Sequence, residues 1–283
     1  MDTYINDKAK GKSILRKILV GIFAAICVIV AVFPLLFSLL SSFKDNGTIY
    51  SDPFGMPKIF SLKNYVFAFQ STNVLRGMVN SLLYAFVSVA IIILFSLCIA
   101  YAIRIKVPFS GFVFLFFIAG MALPVHAILV PLAALIGQLH LKNTVFGLLG
   151  IYVATNLSLS VFFVTGYMKG ISKEMDESAT IDGCGPLRTL FQIIAPLTAP
   201  VVSTVSIISF LHIYNDLIFS ILLIDNKAMS TISYALLAFK SQYDINYGGT
   251  FAGICTSIFP MIIVYILLQK KIQGGITAGS VKG

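Results

Sequence analysis

The sequence predicts an all-α, polytopic membrane protein with about six transmembrane helices. Of its 283 residues 58% are hydrophobic and only 11% are charged, which excludes an ordinary soluble domain. A bilayer core of about 30 Å requires roughly 20 apolar residues in a helix, and several runs of this chain reach that length. The net charge of +9 comes mostly from Lys and Arg beside these runs, which favours membrane topology over binding to nucleic acid.

The chain begins with a short basic N-terminus, residues 1–17, followed by a first span over residues 18–42. This apolar run is too long for the core of a signal peptide and lacks a small-residue cleavage site, so we expect it to remain as a membrane span. Residues 43–73 are polar, contain Pro53 and Pro57, and are predicted to form an external loop. The four cysteines are isolated, which supports neither a disulfide framework nor a metal site.

A core transmembrane domain is predicted over residues 74–270. The expected spans lie near 74–103, 110–137, 145–169, 197–224 and 250–269. The second of these contains Pro124 and Pro131, and prolines bend a helix where neighbours or a cavity satisfy the freed carbonyls, so we predict a kinked helix that lines a path. His126 lies between the prolines. It is either a neutral histidine bonded to backbone inside the bundle or a residue that relays protons or contacts substrate.

Asp216 is the one acid inside an apolar run. It would cost about 2.5 to 3.5 kcal/mol if it were ionised against lipid, so it should face the bundle interior or an aqueous cavity. Two interpretations remain open: a position that lines or gates a substrate path, or an interhelical hydrogen bond that only fixes packing. The residues predicted to line a translocation path are Asn80, Pro124, His126, Pro131, Asn215 and Asp216. The segment after this span, residues 225–249, is expected outside, with a short helix near 234–242.

The most informative stretch is the polar loop 172–196, which separates two apolar runs. Ser172 is predicted to cap a helix, and acidic residues in the first turn suit the positive end of the helix dipole. Gly183 and Gly185 should end that helix, and Pro186 suits the first turn of the next one. The second helix is predicted to have one apolar face, formed by Leu187, Leu190, Phe191 and Ile194, with Arg188 and Gln192 elsewhere.

These residues resemble the EAA loop of the membrane permease subunits of bacterial ABC importers. Positions matching that pattern are occupied by Glu177, Ala179, Gly183, Ile193 and Pro196. Ser178 and Ala195 depart from it, but both are small and preserve the helix, the turn and the register. In the family this loop is a coupling helix that seats in a cleft of the ATPase subunit. The resemblance implies coupling roles for Glu174, Glu177, Ser178, Ala179, Asp182, Gly183 and Pro196.

Three of these residues have a more specific expected role. Glu177 is the residue we expect to pair with a basic residue of the ATPase. Gly183 is expected to form the turn, and Ala179 to pack closely in the cleft.

Further similarity extends from about residue 63 to the C-terminus. The segments KNY (63–65), NSL (80–82), YAIR (101–104) and the tail GGITAGSVKG (274–283) resemble the second permease of maltose and multiple-sugar systems. This implies a type I ABC importer permease fold, and a sugar rather than an amino acid, phosphate or metal as substrate. The resemblance also implies that Thr277, Ala278, Gly279 and Lys282, in tail 271–283, contact the ATPase; a flexible Gly-rich tail is the alternative.

The implied partners are a second, homologous permease, two cytoplasmic ATPases and an extracellular or periplasmic sugar-binding protein, all assembled at the lipid bilayer. ATP and Mg would bind to the ATPases, and this chain is expected to bind no cofactor, metal or nucleic acid. It contains no Walker motif, no HExxH and no paired catalytic carboxylates, so we expect a transport subunit rather than an enzyme.

Charge predicts the orientation. With both termini inside, 13 of the 20 Lys and Arg residues fall in internal segments, in accord with the positive-inside rule. This places loop 172–196 in the cytoplasm, and the resemblance implies that the protein lies in the bacterial cytoplasmic membrane. We expect this chain to form half of a heterodimeric translocation path. Closure of the ATPases is expected to act through loop 172–196 and to switch the spans between inward-facing and outward-facing states.

Two other classes of protein fit the sequence less well. An ion-driven carrier is disfavoured by the single intramembrane acid and the lack of a hydropathy repeat. A membrane sensor or scaffold is disfavoured because no soluble domain is attached.

Overall fold

The computed structural model describes the backbone of residues 2–71, 73–239 and 246–280, and the side chains of residues 16–70, 73–239 and 246–267. The described residues form helices and connecting turns, with no strand among them. The helices are α1 Asp2–Ser41, α2 Asn46–Ser51, α3 Lys63–Ser71, α4 Val74–Arg104, α5 Ser110–Ala122, α6 Leu129–Gln138, α7 Val145–Lys169, α8 Glu174–Ile181, α9 Pro186–Thr189, α10 Ala195–Leu197, α11 Ala199–Tyr214, α12 Ile218–Leu223, α13 Ile232–Leu236 and α14 Tyr247–Ser280.

Length and composition allow between four and six membrane spans in the described part of the chain. Four helices qualify alone: Arg16–Ser41, Val74–Arg104, Val145–Lys169 and Tyr247–Leu267. Two further pairs qualify if each bent pair crosses once: Ser110–Ala122 with Val125–Gln138, and Pro186–Leu197 with Ala199–Tyr214. The predicted all-α, polytopic fold with about six spans is thereby confirmed.

The chain divides into two units, of which the first contains the chain before Ser71 together with Phe239–Thr256. Within this unit, residues 43–70 of the predicted external loop fold around a buried lysine. Lys44 is only 3% exposed, and its Nζ donates to the carbonyl oxygens of Asp52 and Pro53, both at 3.0 Å. Asn64 of the KNY segment donates from Nδ2 to the carbonyls of Ser42 and Lys44 at 2.9 and 2.8 Å. The loop is therefore held by buried polar contacts.

The second unit, Ser71–Ala238 and the chain after Thr256, is built on the packing of α4 against α7. Its buried apolar cluster joins these two helices to α11 and to the segment just before it. The members of the cluster are Leu97, Ala100, Tyr101, Val164, Met168, Leu190, Ile194, Val201 and Val205. Leu190 and Ile194 belong to the polar loop predicted above, so this core anchors the second half of the loop.

The kinked helix predicted over 110–137 is broken rather than bent. α5 ends at Ala122, a 3₁₀ turn occupies Val125–Ile128, and the two halves differ in direction by 88°. Leu123, which precedes Pro124, is extended at φ −77° and ψ 121°. A residue before proline is driven out of the helical region, and Pro124 has no N–H to continue the ladder.

The span predicted over 197–224 is also interrupted. α11 ends at Tyr214 and α12 begins at Ile218, because the Asp216 carboxylate accepts hydrogen bonds from the amides of Phe219 and Ser220 at 3.2 and 3.1 Å. Capping of this kind starts a new helix. Further on, the short helix α13 lies at Ile232–Leu236, earlier than the predicted 234–242, of which residues 240–242 lie outside the described part.

The first turns of α4 are fastened to the segment that carries α13. Asn80 Nδ2 donates to the carbonyls of Ala228 and Ser230, both at 3.0 Å, and Tyr84 Oη donates to the carbonyl of Met229 at 3.0 Å. Both amide hydrogens of Asn80 are therefore used within the fold, and its role is to hold this segment on α4.

Candidate functional site

Helix α8 carries most of the coupling residues predicted from the loop pattern. It begins at Glu174, and Ser172 Oγ accepts a hydrogen bond from the Glu174 amide at 3.3 Å, so the predicted cap is one residue further from the helix than expected. At the other end Gly183 has φ +74°, its amide donates to the carbonyl of Thr180, and the Cys184 amide donates to that of Ala179. These bonds form a Schellman motif, which confirms the predicted glycine turn.

One face of α8 is open. Glu174, Glu177, Ser178 and Ile181 follow one another at helical spacing, and all four are exposed, Ile181 to 86%. An exposed isoleucine beside two carboxylates is a surface with an apolar centre and a charged rim. Asp182 and Gly183 at the end of the helix are exposed as well.

Ala179 lies on the opposite face. It is 2% exposed and packs against its own chain, so it does not offer the surface for an ATPase cleft that we predicted for it. The physical reason is the helical period, which places positions 176 and 179 away from 177, 178 and 181. Its small side chain lets α8 lie close to the body of the second unit.

The second half of the loop departs from a regular helix. After α9, the residues Leu190–Ile194 form a π turn and α10 follows. Leu190 and Ile194 are buried as predicted, whereas Leu187 and Phe191 are 69% and 45% exposed. The chain itself therefore buries only half of the predicted four-residue apolar face, and the wider π turn changes the spacing from Leu190 onward.

The polar residues of this half lie where they were predicted. Arg188 Nε donates to Gln192 Oε1 at 2.9 Å on the exposed side, and Pro196 in α10 is exposed.

Arg104, the last residue of α4, ties the loop to the membrane helices. Its Nε donates to Asp176 Oδ2 at 2.8 Å, and Nη2 forms an ion pair with the same oxygen at 2.6 Å. The guanidinium also donates to the carbonyl oxygens of Met168, Ile171 and Ser172, which follow one another at the end of α7 and the start of the loop. The Arg104 side chain is 6% exposed and that of Asp176 is 22% exposed. We call this set of contacts the Arg104 clamp.

A cavity of about 340 Å³, with polar groups among a mainly apolar lining, lies between α7, α11, α12 and the 3₁₀ turn that separates α5 from α6. Its polar lining consists of His126, Tyr152, Thr155, Asn156, His212 and Asp216. Tyr152 Oη donates to Asp216 Oδ2 at 2.8 Å, so the carboxylate accepts from this hydroxyl as well as from the two backbone amides of α12. Asp216 therefore makes the interhelical hydrogen bond of one interpretation, and it faces a cavity inside the fold, as expected for an acid within an apolar run.

The predicted path residues divide between this cavity and other places. His126 and Asp216 line the cavity, while Asn80, Pro124, Pro131 and Asn215 do not. His126 is exposed toward it rather than bonded to backbone inside the bundle. Sequence reasoning missed Tyr152, Asn156 and His212. Asn156 and His212 are polar residues within apolar runs, and this was the signal that could have identified them.

In the part of the chain that the structure describes, no group of three or more His, Cys, Asp or Glu residues is placed to hold a metal ion.

Among the predicted tail contacts, Thr277, Ala278 and Gly279 fall within the backbone of α14, but their side chains lie outside the described residues. Lys282 lies outside the described residues altogether.

The fold and the site define a class: a multi-span membrane protein with a folded polar loop between two of its spans and a cavity with polar groups among its helices. Residues 92–273 match the family described as the binding-protein-dependent transport system inner membrane component. The chain belongs to this family. It is thus a permease subunit of an ABC transporter and a multi-pass protein of the cytoplasmic membrane, and the family acts in transport rather than catalysis.

Relatives and a solved structure agree with this membership. The chain is 30% identical to the diacetylchitobiose uptake system permease protein of Streptomyces coelicolor, over 89% of this chain and 84% of the relative. It is 30% identical to the arabinooligosaccharides transport system permease protein of Halalkalibacterium halodurans, over 98% and 100%. Its fold resembles a chain of a bacterial ABC transporter involved in import of the acidic polysaccharide alginate, with TM-score 0.75 and 21% identity over 91% and 95% of the two chains.

Proposed function

We propose that this chain is one of two permease subunits of an ATP-driven importer and that α8 is the element through which ATPase closure acts on the membrane helices. The observation that carries the proposal is the construction of α8. Its outward face is free, its C-terminal turn is fixed by Gly183, and the Arg104 clamp joins it to α4 and α7. A force applied to such a helix is transmitted to the spans as a rigid displacement.

In this proposal Glu177 pairs with a basic residue of an ATPase, and the apolar Ile181 beside it fills part of the cleft. The partners are a second homologous permease, two cytoplasmic ATPases that bind ATP and Mg, and a binding protein on the other side of the membrane. Both termini lie in the cytoplasm. The C-terminal residues Thr277, Ala278, Gly279 and Lys282 add a second contact to the ATPases.

Saccharides are the substrate class we propose. The uptake systems of the two relatives named above carry diacetylchitobiose and arabinooligosaccharides, and the fold matches that of an alginate importer. His126 and Asp216 are the predicted path residues that we retain, because they line the cavity. An ion-driven carrier would need a cluster of charged ligands, whereas Asp216 is the one carboxylate among the cavity-lining residues.

Crosslinking in membranes tests the coupling role. A cysteine at Ser178, with the four native cysteines replaced by serine, is paired with cysteines around the cleft of the co-expressed ATPase, with and without ATP. We expect a crosslink whose yield changes with nucleotide. Ala179→Cys is the matched control. Position 179 is next to Ser178 in the chain but is buried, so a cysteine there should crosslink poorly. A well-expressed complex without a crosslink at 174, 177, 178 or 181 would remove the proposal's support.

Transport measurements provide the second test. Glu177→Ala should abolish uptake while the protein still inserts, because truncating one partner of a desolvated ion pair costs about 2 to 5 kcal/mol of docking. Normal uptake by this variant would contradict the proposed role of Glu177.

A further inference from the structure

We infer that the cavity around Asp216 is a saccharide-binding site in this subunit, which holds one sugar ring through Asn156, His212 and Asp216. The inference rests on the proposed function and adds to it a specific site. It begins from hydrogen-bonding groups that line this cavity and that the described residues leave partly unused.

Asn156 is the first such group. Its side chain is only 6% exposed, and Nδ2 donates to the carbonyl of Tyr152 at 2.9 Å and to Thr155 Oγ1 at 3.3 Å. Both amide hydrogens are therefore used, while Oδ1 accepts from no group among the described residues and the side chain lines the cavity. Oδ1 is not fully buried, so a ligand that donates a hydrogen bond can reach it from the cavity.

Asp216 is the second. Oδ2 accepts from Tyr152 Oη and the Ser220 amide, and Oδ1 accepts only from the Phe219 amide. A carboxylate has about four acceptor positions, so one remains on Oδ1. The three protein donors also offset much of its charge, which makes it a hydrogen-bond acceptor for a neutral hydroxyl more than a partner for a cation.

The imidazoles of His126 and His212 complete the set. Each neutral imidazole has one donor and one acceptor, and neither has a hydrogen-bond partner among the described residues. A sugar hydroxyl both donates and accepts, so it matches this mixture of acceptors and imidazoles. A metal cation does not, because the described residues provide no three-ligand cluster.

The shape of the cavity agrees with a single ring. Its volume of about 340 Å³ is at the small end of the range for ligand sites. The rings of Tyr152 and Phe219 meet edge to face with their centroids 6.4 Å apart, and Phe219, Leu129 and Ile213 supply apolar lining for the faces of a pyranose or furanose. Polar groups at the rim of apolar and aromatic walls are the usual composition of such pockets.

The test is protection from alkylation in the assembled transporter. Thr155→Cys, in a background without the native cysteines, places a thiol in the cavity, and its labelling by a maleimide is measured with maltotriose, raffinose or arabinotriose, in the nucleotide-free and ATP-loaded states. We expect whichever of these sugars the complex imports to slow labelling at least fivefold in one of the two states. Ser206→Cys, on α11 outside the cavity, should be unaffected.

A specificity measurement distinguishes binding from a structural role. Asn156→Leu should change the ratio of the uptake rates of two imported sugars at least fivefold, because a ratio is insensitive to expression and assembly. Ser160→Ala is the matched control. Ser160 lies one turn after Asn156 on α7, is fully buried outside the cavity, and its hydroxyl donates to the backbone carbonyl of Asn156. Asp216→Asn, combined with Thr155→Cys, should abolish the protection of the introduced thiol, and should do so without loss of the assembled complex.

The outcomes separate this inference from the proposed function. Import that depends on the ATPase but leaves the thiol at position 155 unprotected, with an unchanged ratio in Asn156→Leu, overturns the saccharide site and leaves the importer standing. If a sugar protects the thiol and uptake survives loss of the ATPase, the saccharide site is supported and the proposed ATP-driven importer is contradicted. If none of the three sugars is imported or protects, the saccharide site is overturned.

Discussion

Arg104 shows how much one residue can determine in this protein. It stands at the end of α4, yet its guanidinium bonds to the Asp176 carboxylate and to three carbonyls at the end of α7 and the start of the loop. The planar fork of arginine can make these bonds in several directions at once, whereas the point charge of lysine cannot. The clamp therefore makes the orientation of α8 depend on α4.

Replacing Arg104 should uncouple the loop from the spans. Arg104→Ala removes one partner of a largely buried pair and should cost about 3 to 5 kcal/mol, whereas Arg104→Lys keeps the charge and loses part of the hydrogen-bond set. We expect Arg104→Lys to assemble with the ATPases but to lower the amount of sugar imported per ATP hydrolysed severalfold. The measurement is the coupling ratio in reconstituted vesicles.

Arg188→Lys is the control for the clamp, because Arg188 lies in the same loop but makes an exposed contact with Gln192. Its coupling ratio should remain near that of the unmodified protein. Combining Arg104→Lys with Asp176→Asn should give little more loss than either change alone, since both break the same contact. Additive losses would argue against a shared role.

At the scale of elements, the end of α8 depends on one backbone conformation. Gly183 has φ +74°, and a Cβ placed there would meet nothing within 4 Å. The requirement for glycine is therefore conformational and not steric. Gly185, two residues further, also has open space around it but has φ −71°, a backbone conformation that any residue can adopt.

Gly183→Ala should destabilise the turn by about 1 to 2 kcal/mol, whereas Gly183→Asn should cost less because asparagine tolerates the left-handed region. Gly185→Ala should be close to neutral. Hydrogen exchange at the Cys184 amide, which donates to the carbonyl of Ala179, reports the opening of the turn directly. Equal protection in Gly183→Ala and Gly185→Ala would refute this account.

A second glycine is required for a steric reason. A Cβ on Gly77 of α4 would lie 3.0 Å from the carbonyl oxygen of Thr231 and 3.1 Å from Cα of Ile232, both backbone atoms. Gly77→Ala should therefore destabilise the packing of α4 against the α13 segment by about 1 to 3 kcal/mol. Gly150→Ala in α7, whose Cβ would meet nothing within 4 Å, should instead be neutral or stabilising. Thermal unfolding of the purified permease, followed by circular dichroism, compares the two.

At the scale of the whole molecule, the distribution of basic residues predicts which side of the membrane each loop occupies. Thirteen of the 20 Lys and Arg residues fall in segments predicted to be internal when both termini are cytoplasmic. The proposed coupling role depends on this orientation, because ATP and, in our proposal, the partner ATPases are in the cytoplasm.

Accessibility to an impermeant maleimide checks the orientation. In intact spheroplasts of cysteine-free variants, Asp225→Cys, whose parent side chain is 67% exposed, should be labelled from outside. Ser178→Cys, exposed on α8, should be labelled only after permeabilisation. The reverse pattern would place α8 outside and exclude coupling to ATP.

The sequence predicted the all-α class and about six spans, because these follow from local chemistry. Apolar runs long enough for a bilayer predicted the spans, and a glycine without a Cβ predicted the turn at Gly183. The sequence did not predict what distant residues decide. Ala179 turned inward, Leu187 and Phe191 stayed exposed, and Asn80 was used by the α13 segment.

Composition and motif alone thus determined an all-α membrane protein with a folded polar loop, since both properties are carried by neighbours along the chain. The tertiary structure alone decided that Arg104 holds the loop and that Asn156, His212 and Asp216 share a cavity. Arg104 and Asp176 are 72 positions apart, and Tyr152 and Asp216 are 64 positions apart. No local pattern encodes such pairs, because only helix packing brings their side chains within hydrogen-bonding distance.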